Sequence, residues 1–367
     1  MGASDGCNII SAWTVGQAGQ CFGDKIGFRV GRSTYKKVLL EIHYNNPRLV
    51  SNYVDSSGLK LYYQPARADF QDLVMFTTGQ IDIEIPPGES RVDVVGTCRG
   101  RCTNLYFTKP VYVISALNHM HYMGRSMKIE LFRQGRKIAD ITNEKYYNYD
   151  SPVNHVLDPP LEIRPGDEIK TTCTFSSLSS NRYVYYGEAT SDEMCFGFLT
   201  MYPRDAVTQF SCPSYGPLST CEVYTYGTPI GSCNWPTFVN LTTPESMAVF
   251  VELRRNCNLN GFCRPECEQT VRRLEQHPCM QGEAERFVKG IFESFPEGVE
   301  MLGRLHSCSG SKSHSTEPDT CSKEDCKEWC DDAPSGWPNT YDGAPKTAAT
   351  TSVVLLLVTS SLFAFLR

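Results

Sequence analysis

Seventeen cysteines, scattered from Cys7 to Cys330, constrain this chain more than any other feature of its 367 residues. Their spacings do not repeat as paired Cys-x-x-Cys knuckles, so a string of zinc modules does not account for them. Disulfides formed in an oxidising compartment do, which points to the secretory pathway and an extracellular or vesicle-lumenal location. The odd count leaves at least one cysteine without a partner inside the chain. Asn240-Leu241-Thr242 is a single N-glycosylation sequon and agrees with that compartment. With 41% hydrophobic and 11% aromatic residues the chain can bury one or two real cores. A net charge of -6 and a pI near 5.7 leave no basic face, and no Lys/Arg patch interleaved with aromatics occurs, so nucleic acid is excluded as a partner.

From Trp13 to Arg204 the texture is that of strands. Short runs rich in Val, Ile, Tyr and Thr (Tyr35–Tyr44, Gly58–Tyr63, Gln80–Ile85, Val111–His121, Ser126–Phe132) are broken by turn signals such as Pro86-Pro87-Gly88 and Pro165-Gly166-Asp167. No long helical period intervenes, and the pattern predicts an antiparallel β-sandwich. From Cys212 to Cys330 cysteines are dense, and Pro265–Gln276 and Gly282–Phe295 have helical spacing, which reads as a disulfide-stapled, partly helical appendage. Residues 331–351 form a Pro/Gly/Ser/Thr linker. Residues 352–367 are a hydrophobic tail.

Within the strand-rich part, His119-Met120-His121 supplies two imidazoles two residues apart. In an extended strand such residues project from one face and can share a metal. Met194, far downstream, offers a thioether, a soft donor that favours Cu(I), while imidazole serves both oxidation states; a His-His-Met set therefore suits one redox-cycling copper with a position left open for oxygen. The plainer reading of the pair is an ordinary half-exposed strand.

Three motifs give this a wider frame. Leu39-Leu40-Glu41-Ile42-His43-Tyr44-Asn45-Asn46-Pro47, Leu117-Asn118-His119-Met120-His121-Tyr122-Met123-Gly124-Arg125 and Ser191-Asp192-Glu193-Met194-Cys195 resemble, in that order, copper-ligand segments of the copper type II, ascorbate-dependent monooxygenases, closest in texture to the dopamine β-hydroxylase-like branch. The resemblance covers Cys7 to about Arg204. It implies a mainly β fold: a jelly-roll-like antiparallel sandwich carrying copper, preceded by the remnant of a second sandwich. Domains are accordingly expected at 1–57 (remnant of the first copper domain), 58–211 (second copper domain) and 212–330 (Cys-rich appendage). It also implies hydroxylation of an activated carbon of a small substrate, phenylethylamine-like by analogy, using O2 with ascorbate as electron donor. His119, His121 and Met194 would hold the oxygen-activating copper and His43 would be one ligand of an electron-storing copper. By the same resemblance Cys173 pairs with Cys195. Cys98 and Cys102 are expected to tie this domain to later segments, Cys212 being the partner of Cys98; a Cys98–Cys102 zinc or redox site is the competing reading.

The chain departs from the family pattern in three places. The first copper needs an adjacent histidine pair, and no His-His occurs among the seven histidines. Met1–Cys21 has neither the basic nor the apolar region of a signal peptide, so the expectation is a chain that begins inside the first domain, with the partner of Cys7 in the part that precedes it. Phe198 stands where similar members place tyrosine. The Cys-rich stretch has no counterpart in the family's usual tail. Asp342-Gly343-Ala344, a polar spacer and the apolar run Val353–Leu366 match a glycosylphosphatidylinositol signal, a short retained membrane tail being the alternative. A truncated or inactive homologue, acting as a surface-anchored copper-binding protein, is the second function class.

Overall fold

The computed structural model describes residues 8–14, 19–31, 35–44, 46, 50–259, 263–308 and 361–366. Ten strands between residues 74 and 219 build its centre: β1 (Val74–Gln80), β2 (Val92–Cys98), β3 (Val111–His119), β4 (Gly124–Arg133), β5 (Arg136–Glu144), β6 (Asn154–Ile163), β7 (Glu168–Phe175), β8 (Cys195–Tyr202), β9 (Ser211–Tyr215) and β10 (Leu218–Ser219). They form a four-stranded sheet in the order β5-β4-β7-β2 and a six-stranded sheet in the order β6-β3-β8-β1-β9-β10. Neighbours run antiparallel except β9, which lies parallel to β1.

Period-two alternation explains the layering. Along β3 the side chains of Val111 and Val113 turn inward while Tyr112 is only half-buried, as a pleated strand with one covered face requires. Phe76, Leu199 and Met201 from one sheet and Ile129 and Leu131 from the other meet in a single core. Each such side chain, fully buried, contributes about 1.5–3 kcal/mol. Where the sheets approach most closely the contact is polar or bare: Thr78 Oγ1 lies 3.1 Å from Thr171 Oγ1, and Gly96 faces the backbone of Gly79. The β4–β5 hairpin turns on Gln134 and Gly135, both at positive φ (51° and 75°), the conformation whose twist suits a two-residue hairpin.

The second body is helical. Beyond a short helix inside the sandwich, α1 (Gly100–Tyr106), come α2 (Trp235–Val239), α3 (Pro244–Asn256), α4 (Pro265–Leu274), α5 (Gly282–Phe292) and α6 (Pro296–His306). Pro244, Pro265 and Pro296 open three of them, where the missing N–H would have had no partner. Trp235, Phe238, Leu253, Val271, Phe287 and Phe292 form their common core, stapled by Cys233–Cys279, Cys257–Cys267 and Cys263–Cys308. Two further disulfides anchor the end of the sandwich: Cys98–Cys212 joins β2 to β9, and Cys102–Cys221 joins α1 to the segment just after β10 that leads into the helices.

The β-rich antiparallel body and the disulfide-stapled helical region expected from sequence are both present. Differences are local. Gly58–Tyr63, with its strand-like alternation, is exposed and forms no strand, because alternation alone does not create a strand without a neighbouring backbone to bond. The six-stranded sheet runs on through β9 and β10, past the residue at which cysteine density rises. Helices α3 and α6 lie outside the two segments read as helical. Near the start, Asn8–Thr14 and Val38–His43 flank the strand Ser361–Leu366, and Ile26–Gly27 pairs in parallel with Gln71–Asp72, an association reinforced by Arg29 and Asp72 at 2.8 Å. Residues 331–351 lie outside the described residues. No helix among the described residues is long and apolar enough to cross a membrane.

A Cβ at Gly96 would sit 1.9 Å from the Gly79 carbonyl oxygen, which is backbone and cannot step aside. Gly96→Ala is expected to destabilise the fold by about 3 kcal/mol, the upper end of the usual cost of overpacking, whereas Val95→Ala on the exposed side changes stability by less than about 0.5 kcal/mol. Denaturant unfolding of the two variants checks this; equal midpoints would contradict the close sheet contact.

Candidate metal centre

Strand β3 ends at His119, opposite Phe196 on β8. The extended stretch expected as far as His121 therefore stops two residues early: Met120 to Met123 form the turn into β4, and His121 is placed by side-chain contacts, not by pleat geometry. The chief of these is Glu193. Its carboxylate accepts the backbone N–H of His121 (2.8 Å) through Oε2 and that of Met123 (2.7 Å) through Oε1, and that of Met194 as well. Only 1% exposed, Glu193 is pushed up to about 7 by burial, against the pull of these N–H groups and of Arg125 toward the charged form.

Tyr147 holds the other side of the turn. Its hydroxyl donates to the Met120 carbonyl (2.6 Å) and accepts from the Met120 N–H (3.0 Å), and burial raises its pKa, so it stays a donor. Met120 itself is fully buried, and Gly124 gives it room: a Cβ there would lie 2.8 Å from Met120 Cβ. The turn is thus clamped at Met120 from within and at His121 and Met123 from the Glu193 segment.

His121 Nδ1 lies 2.9 Å from the Asp192 carbonyl oxygen. A peptide carbonyl can only accept, so Nδ1 is the donor of this bond; in the neutral ring the lone pair is then on Nε2, the tautomer a metal requires. The His119 and His121 rings are 5.3 Å apart, centroid to centroid, at 86°. Two imidazoles binding one ion at about 2.0 Å and a tetrahedral angle would have centroids about 5 Å apart, so the spacing fits a shared ion. Met194, half-buried, is covalently next to the Glu193 that grips His121, and next to Cys195, whose disulfide to Cys173 joins β8 to β7 across the two sheets. Among the described residues no group of three or more His, Cys, Asp or Glu is placed to hold a metal, so an ion at the two imidazoles would need a donor of another kind; a thioether is one. Aromatic rings surround the pair: Phe198 is 5.9 Å from His119, Tyr149 is 5.8 Å from His121, and Tyr122 packs on Tyr149 at 4.5 Å.

The other sequence candidates lie elsewhere. His43 ends the strand Val38–His43, and its side chain, like His314, lies outside the described residues. Cys98 is bonded to Cys212, and Cys102 to Cys221, which leaves no thiol pair for zinc or redox chemistry. Cys7 is outside the described residues, and Cys21 is exposed and free. Asn240 is exposed at the end of α2. His277 stacks on Phe238 and contacts Glu245. His155 stands 3.3 Å from Glu144 Oε2, which also accepts from Asn118 Nδ2 (2.8 Å), giving a buried polar knot on the strand that ends in His119. Sequence reading missed Glu193, Tyr147 and this knot. Only Glu193 left a trace, as an acid adjoining the candidate thioether.

Residues 71–225 match the family model for the copper type II ascorbate-dependent monooxygenase, C-terminal domain. Among curated proteins the chain is similar to MOXD1 homolog 1 of Drosophila melanogaster (29% identical, covering 58% of this chain and 31% of that one). It is also similar to DBH-like monooxygenase protein 1 of Gallus gallus (28%, covering 55% and 34%) and to dopamine beta-hydroxylase of Canis lupus familiaris (27%, covering 54% and 32%). The chain spans about a third of the length of these relatives.

Glu193→Gln would turn an amide N–H₂ toward backbone donors that need an acceptor. It is expected to loosen His121 and to lower Cu(I) affinity about ten- to a hundredfold, the range typical of groups that orient metal ligands. Competition with a chromophoric Cu(I) chelator measures it, and an unchanged affinity would refute the clamp.

Proposed function

Residues 71–225 belonging to the copper type II, ascorbate-dependent monooxygenases as their C-terminal domain, we propose that this chain carries the copper at which O2 is used to hydroxylate an activated carbon of a small substrate. The net change is C–H plus O2, two electrons and two protons to C–OH and water, with ascorbate as the electron source. The observation that carries the reading is the 5.3 Å pairing of the His119 and His121 rings, with Nδ1 of His121 bound to the Asp192 carbonyl.

Each residue has a task in it. His119 and His121 are the two imidazole donors and Met194 the soft third donor. Copper, when bound, supplies a one-electron couple and a coordination position that three protein donors leave free. Asp192 keeps the proton on Nδ1 of His121, Glu193 fixes the turn, and the Cys173–Cys195 disulfide steadies the segment bearing Met194. Phe198 and Tyr149 flank the imidazoles with apolar ring surface. His43 would contribute one ligand to a second, electron-storing copper. Phenylethylamine-like amines are the substrate class by analogy with the relatives' names.

The second reading is a copper-binding surface protein without turnover. It is favoured by the absence of any adjacent His-His pair in the 367 residues, which leaves the second copper without most of its ligands. In both readings the chain binds one copper: metal analysis after dialysis is expected to give one equivalent, lost in the His119→Ala/His121→Ala double variant. Two retained equivalents, or retention by the double variant, would overturn the site. The readings separate on oxygen uptake. The chain alone is expected to show no sustained ascorbate-dependent hydroxylation, and the same chain joined to a His-His-bearing first domain is expected to show it.

The tail belongs to the same picture. Small residues at Asp342-Gly343-Ala344 ahead of the apolar run suit replacement by a glycosylphosphatidylinositol anchor near Asp342 or Gly343. Release of the complete, signal-bearing protein from cells by a phosphatidylinositol-specific phospholipase is the expected result, and a membrane-bound product that resists the enzyme and still ends in Arg367 by mass spectrometry would rule the anchor out.

A further inference from the structure

The helical region has an open groove of about 530 Å³ that the copper chemistry does not use. It lies between the α2–α3 link and the start of α6. Its wall is apolar, made of Met247, Phe250, Val251 and Phe295, and its rim carries Arg254 and Glu297. Met247 and Val251, one helical turn apart on α3, are 46% and 45% exposed, an uncovered apolar stripe on the helix surface. Arg254 is held in place: its guanidinium sits over the Phe250 ring at 4.4 Å and its Nε donates to Glu300 at 2.8 Å. A surface that offers C–H-compatible walls and a fixed charged rim suits a ligand with an apolar face and a hydroxylated edge, which describes a pyranose ring.

Asn240 is itself part of the groove lining and is the acceptor residue of the single sequon. It is exposed, and its side-chain oxygen is turned back on the chain, accepting from Thr242 N–H (3.1 Å) and Thr242 Oγ1 (2.8 Å). The amide nitrogen therefore points away from that turn, free to carry a substituent in the folded protein. We infer that Asn240 bears an N-linked glycan whose first sugars lie in this groove and cover Met247 and Val251. In the transfer, the bond from sugar C1 to the diphosphate of a lipid-linked oligosaccharide breaks, a bond from C1 to Asn240 Nδ2 forms, Nδ2 gives up a proton and the lipid diphosphate leaves; nothing is oxidised. The six disulfides among the described residues place the chain in the compartment where such donors act. A second copy of the chain is a poor occupant, since four apolar side chains fall far short of the roughly 800 Å² per partner that a stable interface buries.

The test uses the full chain, preceded by an added secretory signal peptide, secreted from eukaryotic cells. Peptide mass spectrometry is expected to find a glycan at Asn240, absent from Asn240→Gln and from Thr242→Ala. Hydrogen exchange of the α3 amides is then compared before and after enzymatic removal of the glycan from the folded protein, which avoids reliance on a variant that folds poorly. Removal is expected to speed α3 exchange about fivefold, as loss of a local stabilising cover does. In a Met247→Glu/Val251→Glu variant, still glycosylated, removal is expected to change nothing. An unmodified Asn240, or a glycan whose removal leaves α3 exchange as it was, would overturn the inference; neither result bears on the copper count.

Discussion

The buried carboxylate of Glu193 is the interaction on which the candidate site depends. A carboxylate stripped of water is costly unless its oxygens are occupied, and here they are occupied by backbone N–H groups of His121, Met123 and Met194. One side chain therefore ties two segments some seventy residues apart, and it does so through main chain, so the positions of the neighbouring side chains follow. Burial raises this acid while the N–H groups oppose the rise, which is the balance expected of a carboxylate used as a structural acceptor.

Around that grip the rest is reinforcement of different kinds. Tyr147 closes the turn at Met120 by hydrogen bonds, Gly124 allows the buried thioether of Met120 its space, and the Cys173–Cys195 disulfide carries the Met194 segment across from one sheet to the other. On the next residue back from His119, Asn118 shares its amide with Glu144 and Thr142, so the end of β3 is braced by polar contacts within the fold as well as by the turn. Dense packing and satisfied hydrogen bonds of this kind fix the backbone on either side of His121.

How far the sequence revealed this depends on the kind of signal. Strands with one covered face were readable because alternation is a direct image of the pleat, as in Val111–His119 and Gly124–Arg133. Gly58–Tyr63 shows the limit, since the same alternation occurs with nothing to pair against. Helices α3 and α6 were missed; both open on a proline followed closely by glutamate, a start signal obscured by surrounding turn-like composition. At the site, residue types and their order brought His119, His121 and Met194 to notice, but how His121 is held could not be read, because Glu193 reaches it across the fold and His121 lies beyond the strand that was to carry it. The pairing of His155 with Glu144 was hidden for the same reason.

Cys98 and Cys102 are four residues apart, and both are bonded to the far end of the sandwich, where the chain passes through Cys212 and Cys221 on its way to the helices. In mechanical terms they act as a double rivet. Tension applied at Cys308 would be passed through Cys263–Cys308 and Cys233–Cys279, whose bonds enclose 45 and 46 residues of sequence separation that cannot be drawn out, and would reach the sandwich at β2 and α1. Among the described residues, strands β3 and β8, which carry His119 and adjoin Met194, receive no such cross-link from the helical body. A load entering at Cys212 would pass through β9 and β1 before it met β8, and one entering at Cys98 through β2 and β7, so neither rivet bears directly on the strand that ends in His119.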